Sequence, residues 1–197
     1  MNKANKITMS RIVMSIIIII ILLFPFHEVG IDFPTYLIKE SIVVNTKYIL
    51  VGFLFIIASI TDYFDGYIAR KYNIVTEFGK MIDAISDKML VNSVLIILAC
   101  EGKISTVVAV IVVVRDIIVD MIKMVIGNKN HAVGAIYLAK VKTMLLMIGI
   151  VFTLFYNLPF ELIPIRITDF LLAVAAILSV VTGVKYYMMA KPYLTEK

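Results

Sequence analysis

Residues 61–89 read TDYFDGYIARKYNIVTEFGKMIDAISDKM and set four aspartates between two long apolar segments. Asp62 and Asp65 stand three apart at the end of one apolar run, and Asp83 and Asp87 stand four apart at the start of the next. Residues three and four apart share a face of an α-helix. Two helices facing each other would therefore converge four carboxylates at one end of a bundle. Gly66 and Ala69 follow the first pair, and Gly79 precedes the second by one turn. Small residues at such places admit a neighbouring backbone or a ligand.

Outward from this stretch the chain is strongly apolar. Of its 197 residues 61% are hydrophobic, Trp is absent and mean hydropathy is +1.00. Soluble domains are roughly 45–50% apolar, so the excess points to a membrane protein. A spanning helix needs about 20 mostly apolar residues. Segments near 12–26, 47–69, 79–100, 104–127, 135–157 and 167–190 qualify. The expected fold is all-α, a polytopic membrane bundle of about six transmembrane helices forming a single domain over 1–197. The first segment is short for a full crossing, so residues 1–11 are expected to extend it as a short N-terminal interfacial helix, with Lys3, Lys6 and Arg11 among the headgroups. IVMSIIIIIILLF (12–24) runs into PFHEVG without a small-residue cleavage site and reads as a retained first helix rather than a signal peptide. Breaks are legible at HEVGIDFP, KYNIVTE, EGK, GNKNHAVG and LPFELIPIR.

Charge gives the orientation. The Lys and Arg residues near the N-terminus, at 70–80, at 123–142 and at 185–197 fall on one side, whereas only Lys39, Lys47, Lys103 and Arg166 fall on the other. The positive-inside rule then puts both termini and the aspartates in the cytoplasm. The net charge of +5 lies beside apolar runs rather than among exposed aromatics, which favours anionic lipid over nucleic acid. The lone Cys100 excludes an intramolecular disulfide and, in its apolar run, reads as a buried structural thiol. His27 and His131 read as loop residues, with no second ligand at metal spacing. No internal repeat is evident.

Four carboxylates close together repel, and ionised groups at a membrane are costly. Divalent cations would compensate that charge, and all-oxygen ligation suits Mg²⁺, Mn²⁺ or Ca²⁺ rather than zinc. A pair of such ions clamps phosphates and stabilises in-line displacement at phosphorus, with a general base needed when the nucleophile is an alcohol. The plain alternative is an ion-paired interfacial loop neutralised by Arg70, Lys80 and Lys88. From another class, a divalent-cation transporter would line an ion path with these aspartates. It would not explain why all four gather at one membrane face with Gly and Arg among them.

The arrangement Asp62-x-x-Asp65-Gly66-x-x-Ala69-Arg70, eight residues, then Gly79-x-x-x-Asp83-x-x-x-Asp87 resembles the signature of the CDP-alcohol phosphotransferases at every position, spacer included. The resemblance implies a two-metal centre, Mg²⁺ or Mn²⁺, held by Asp62, Asp65 and Asp83, with Asp87 as general base and also near a metal. It implies a CDP-lipid pocket shaped by Gly66, Ala69, Arg70 and Gly79, touched by Asp62, with Arg70 alternatively a cytoplasmic anchor. It also implies a homodimer.

The opening NKITMSRIV (5–13) resembles that of the bacterial branch transferring phosphatidyl groups from CDP-diacylglycerol to glycerol 3-phosphate, through Asn5, Thr8 and Arg11. By that likeness Asn5 and Thr8 join the CDP-lipid site. LAKVKT (138–143) looks closest to the same branch, whereas Ala84 stands where the branch usually has Pro. That departure touches the backbone and leaves ligation intact, but it loosens the acceptor assignment. Inositol phosphate, inositol or serine are the other acceptors of such chemistry. Arg115, deep within IVVVRDIIVDMIK (111–123), is a candidate for binding the acceptor phosphate, because guanidinium pairs bidentately with phosphate. Its alternative is a structural ion pair with Asp116 or Asp120, neither ideally placed. Lys140 and Lys142 open the fifth span and would receive the same phosphate or anchor to headgroups. The expected activity is transfer of a phosphatidyl group from CDP-diacylglycerol to glycerol 3-phosphate, giving phosphatidylglycerol phosphate and CMP, in a bacterial plasma membrane.

Overall fold

The computed structural model describes residues 3–38, 42–71, 77–127, 136–162 and 166–195; at 3–6, 63–70, 77, 78, 80, 162 and 193–195 it describes the backbone alone. Its helices are α1 (Lys3–Leu23), α2 (Thr46–Lys71), α3 (Glu77–Cys100), α4 (Thr106–Gly127), α5 (Tyr137–Leu154) and α6 (Ile167–Thr195). The β-branched run at 16–21 would favour a strand in water. In an apolar setting each backbone N–H and C=O needs a partner within its own segment, and the helix supplies it.

The six helices match the six expected segments to within a few residues at most ends. α5 (137–154) and α6 over 167–192 are long and apolar enough to cross a membrane. α3 and α4 are each half polar, with Asp83, Asp87 and Lys88 in one and Arg115, Asp116, Asp120 and Lys123 in the other. No separate interfacial helix precedes the first segment: α1 runs unbroken from Lys3, with Ile7–Leu23 as its apolar length.

The stretch 27–46 departs from a purely helical fold. After a 3₁₀ turn at Phe26–Val29, strands β1 (Thr35–Ile38) and β2 (Ile42–Asn45) pair antiparallel, Thr35 opposite Asn45 and Ile38 opposite Ile42. TYLI and IVVN are rich in residues that fit a pleated surface. The backbone N–H of Asn45 donates to the Tyr156 hydroxyl at 2.9 Å, tying the hairpin to the end of α5. His27 is exposed and its Nδ1 lies 2.7 Å from Asp32, which raises its pKa above the ordinary value.

Helix packing runs α1 on α2 and α3, α4 on α6, and α5 on α6 and α2. The core joins Ile18 and Leu22 of α1, Val51 and Phe55 of α2, Leu90 to Leu98 of α3, and Leu146, Ile150 and Leu154 of α5. Outside it lies a belt of exposed apolar side chains, among them Ile16, Ile20, Ile57, Val110, Ile117, Phe170 and Ile177. A soluble monomer rarely shows so broad an apolar exterior. Between helices in lipid, close contact replaces the hydrophobic drive, and small residues permit it. A Cβ on Gly149 would meet Leu172 Cδ2 at 2.7 Å, so glycine lets α6 pack there without displacing the Leu172 side chain. Cys100 ends α3 exposed, contrary to the expected buried thiol: its apolar surroundings in sequence are the outer face of the bundle.

Candidate active site

Because successive helices run in opposite directions, the start of α1, the end of α2, the start of α3, the end of α4, the start of α5 and the end of α6 meet at one end of the bundle. Among the described residues the buried charges, Arg11 and Lys142, lie there. Arg11 is fully buried on α1, one turn after the buried Thr8. Its guanidinium forms an ion pair with Asp62 of α2, and its Nη1 and Nη2 donate to Asp83 Oδ1 of α3 at 3.4 and 3.3 Å. The headgroup position expected for Arg11 is therefore corrected. A guanidinium inside a bundle needs counter-charges, and the two carboxylates provide them. The motif thus draws its basic neighbour from α1 and not from Lys88, which pairs with Asp120.

Asp87 lies one turn beyond Asp83, on the same side of α3. Its Oδ1 is buried and has no hydrogen-bond partner among the described residues. Asp65 lies three residues after Asp62 on α2. The side chains of Asp65, Gly66, Ala69, Arg70 and Asn5 lie outside the described residues, whereas Gly79 is half-buried at the start of α3. Among the described residues no three His, Cys, Asp or Glu groups gather at metal-ligand spacing. The chemistry of the donors nonetheless fits hard divalent ions. Asp62 and Asp83 already share one cation in Arg11, and Asp87 presents an unspent oxygen beside them.

A second polar cluster adjoins the first. Asp116 Oδ1 accepts from Arg115 Nη1 and from Lys142 Nζ, both at 2.8 Å, and Lys142 is buried. Arg115 also reaches α6: its Nε donates to the Ser179 carbonyl at 3.2 Å and its Nη2 to Thr182 Oγ1 at 2.7 Å. Gly183 leaves room for the arginine stem, since a Cβ there would stand 3.2 Å from Arg115 Cγ, a tight contact. The pair with Asp116 does form although the residues are adjacent, because the long arginine stem folds across the helix surface. Lys123 sits 5.1 Å from the centre of the Tyr186 ring. A cavity of about 680 Å³ opens over this cluster, lined among others by Asp87, Asn92, Arg115, Asp116, Lys123 and Lys142. Of the three basic residues expected at the acceptor phosphate, Arg115 and Lys142 face this cavity; Lys140 is exposed and outside its lining.

Sequence reasoning assigned no site role to Asn92, Asp116 or Asp120. Each is a polar residue inside an apolar helical run, the signal by which Arg115 was found, and each lines the cavity.

Comparison with known proteins agrees with the signature. A family model described as CDP-alcohol phosphatidyltransferase matches residues 1–184. A Bacillus subtilis (strain 168) protein named CDP-diacylglycerol–glycerol-3-phosphate 3-phosphatidyltransferase is 39% identical over 190 residues, covering 94% of this chain and 93% of its own. A protein of the same name from Rickettsia felis is 38% identical over 141 residues, 71% of this chain and 78% of its own. Another, from Mycoplasma genitalium, is 41% identical over 115 residues, 58% of this chain and 49% of its own.

Proposed function

Since the chain belongs to the CDP-alcohol phosphatidyltransferase family, we propose that it transfers a phosphatidyl group from CDP-diacylglycerol to glycerol 3-phosphate, releasing CMP. The observation that carries this reading is the double placement of Asp87. It follows Asp83 by one turn at the carboxylate cluster, and it lines the same cavity as Arg115 and Lys142. A base between a diphosphate site and a cationic pocket is what attack by a phosphorylated alcohol requires.

Divalent ions generally serve this family. Asp62, Asp65, Asp83 and Asp87 would hold two of them here, Mg²⁺ or Mn²⁺. When bound they would offset the charge of the diphosphate and of the departing CMP. Arg115 and Lys142 bind the acceptor phosphate, which competes with Asp116 for their charge. That contact turns the primary hydroxyl of glycerol 3-phosphate toward Asp87. Asp87 takes the hydroxyl proton as the oxygen bonds to the phosphatidyl phosphorus. The bond from that phosphorus to the bridging diphosphate oxygen breaks, and CMP leaves with the electron pair. Positioning by the helices sets the in-line geometry. Asn5, Thr8, Gly66, Ala69, Arg70 and Gly79 belong to the CDP-lipid side of the site in this reading.

All six helices cross the bilayer in this proposal, as one domain in a bacterial plasma membrane with both termini and the site cytoplasmic. The distribution of Lys and Arg supports that orientation. The donor lipid enters from the inner leaflet, and the protein is a homodimer, for which the apolar exterior leaves room.

The test is CMP release by the purified protein with CDP-diacylglycerol and Mg²⁺ or Mn²⁺, offered glycerol 3-phosphate, inositol phosphate, inositol or serine in turn. Release with glycerol 3-phosphate is expected. Release with another acceptor alone would keep the chemistry and change the substrate. No release with any acceptor under either metal would overturn the reading and make metal flux into liposomes the next measurement.

A further inference from the structure

Asn92 stands in the apolar run MLVNSVLIIL (89–98) of α3, one turn after Lys88. Its side chain lines the 680 Å³ cavity, and its Oδ1 is buried without a hydrogen-bond partner among the described residues. An unpaired buried amide is costly, and native structures rarely keep one without a use. The neighbouring polar groups do not meet the need. Arg115 and Lys142 are held by Asp116, and Lys88 is held by Asp120. Thr143 donates to the Ala139 carbonyl, and the Tyr186 hydroxyl, which accepts from the Ile136 N–H, does not reach Asn92 Oδ1. Asn92 Oδ1 is therefore an uncommitted neutral acceptor among the described residues of a cavity whose Arg115, Lys142 and Lys88 are held by carboxylates. A ligand entering that cavity can supply the donor that none of these groups brings to Asn92 Oδ1.

The acceptor of the proposed transfer carries three polar groups. Its phosphate suits the cations and its primary hydroxyl suits Asp87, which leaves the hydroxyl on the middle carbon. Asn92 follows Asp87 by five residues on α3, and both side chains line the same cavity, where they can converge on neighbouring hydroxyls of one acceptor. Resting on that function, we propose that Asn92 hydrogen-bonds the middle hydroxyl of glycerol 3-phosphate and makes the cavity selective for an acceptor that has one. A site built to hydrogen-bond a hydroxyl rejects the analogue lacking it, because its own polar group is then left unpaired.

The test compares glycerol 3-phosphate with 3-hydroxypropyl phosphate, the same chain without the middle hydroxyl. CMP release from CDP-diacylglycerol is followed for the wild type, Asn92→Leu and Asn92→Ala. The wild type is expected to prefer glycerol 3-phosphate by about tenfold or more in kcat/KM. In both variants that preference should shrink to within about twofold, through loss on glycerol 3-phosphate. A purely structural role would lower turnover of both acceptors together and leave the ratio as in the wild type, and that outcome overturns the proposal. Glycerol 3-phosphate turnover with an unchanged ratio would thus remove Asn92 alone. No turnover of either acceptor by the wild type would remove the transfer to glycerol 3-phosphate and, with it, this role.

Discussion

The guanidinium of Arg11 stands 3.3 Å from the carboxylate of Asp83, 72 residues further along the chain, and also pairs with Asp62. One cation from α1 thereby holds α2 and α3 in register at the acidic end of the bundle. Arg11→Met leaves the two carboxylates facing each other without it. The thermal midpoint in EDTA should fall by several degrees. Millimolar Mg²⁺ should recover part of that loss, because an ion bound by the folded state alone stabilises it. Differential scanning fluorimetry in detergent reads both conditions. An equal loss with and without Mg²⁺ would show that Arg11 acts through packing rather than charge.

Asp87→Asn keeps the shape of the side chain and removes the proposed base. CMP release should drop by about 100-fold or more, while CDP binding, measured by calorimetry, stays within a few-fold of wild type. Equal loss of both would make Asp87 chiefly a ligand of the metal centre.

Chelation offers a separate check on the carboxylate set. EDTA should abolish CMP release, and Mg²⁺ or Mn²⁺ should restore it. Zn²⁺ should not, since it prefers nitrogen and sulfur donors and low coordination number. Turnover that survives thorough chelation would remove divalent ions from the mechanism.

The helices and the acidic end of the bundle were legible because both rest on local pattern. Apolar length marks a segment, and aspartates at three- and four-residue spacing mark a helix face. What sequence left out depends on contacts between distant helices. Arg11 looked like a headgroup anchor because its counter-charges lie 51 and 72 residues away, on Asp62 and Asp83. Lys140 and Lys142 looked alike, but two residues apart on a helix they face different ways. Lys142 turns inward to Asp116 and Lys140 outward. Cys100 was misread since an apolar run says that a helix is buried in something, protein or lipid, without saying which. The hairpin escaped because each of its strands is four residues long, too short for a periodic signal.

Arg115 serves two contacts that one substitution cannot separate. It pins α4 to α6 through Ser179 and Thr182, and with Lys142 it lines the cavity around Asp116. Arg115→Ala should raise the KM for glycerol 3-phosphate by about tenfold or more, the scale of a charge-assisted hydrogen bond. It should also lower the thermal midpoint, because Asp116 loses a partner. Thr182→Val removes the tie to α6 and keeps the cation. That variant should share the loss of stability while its KM stays within about twofold of wild type, since a hydrogen bond away from the acceptor carries no acceptor binding. Steady-state kinetics with varied glycerol 3-phosphate, paired with melting curves, separates the two. If Thr182→Val raises KM as much as Arg115→Ala does, Arg115 acts by holding α4 against α6, and the acceptor phosphate rests on Lys142 instead.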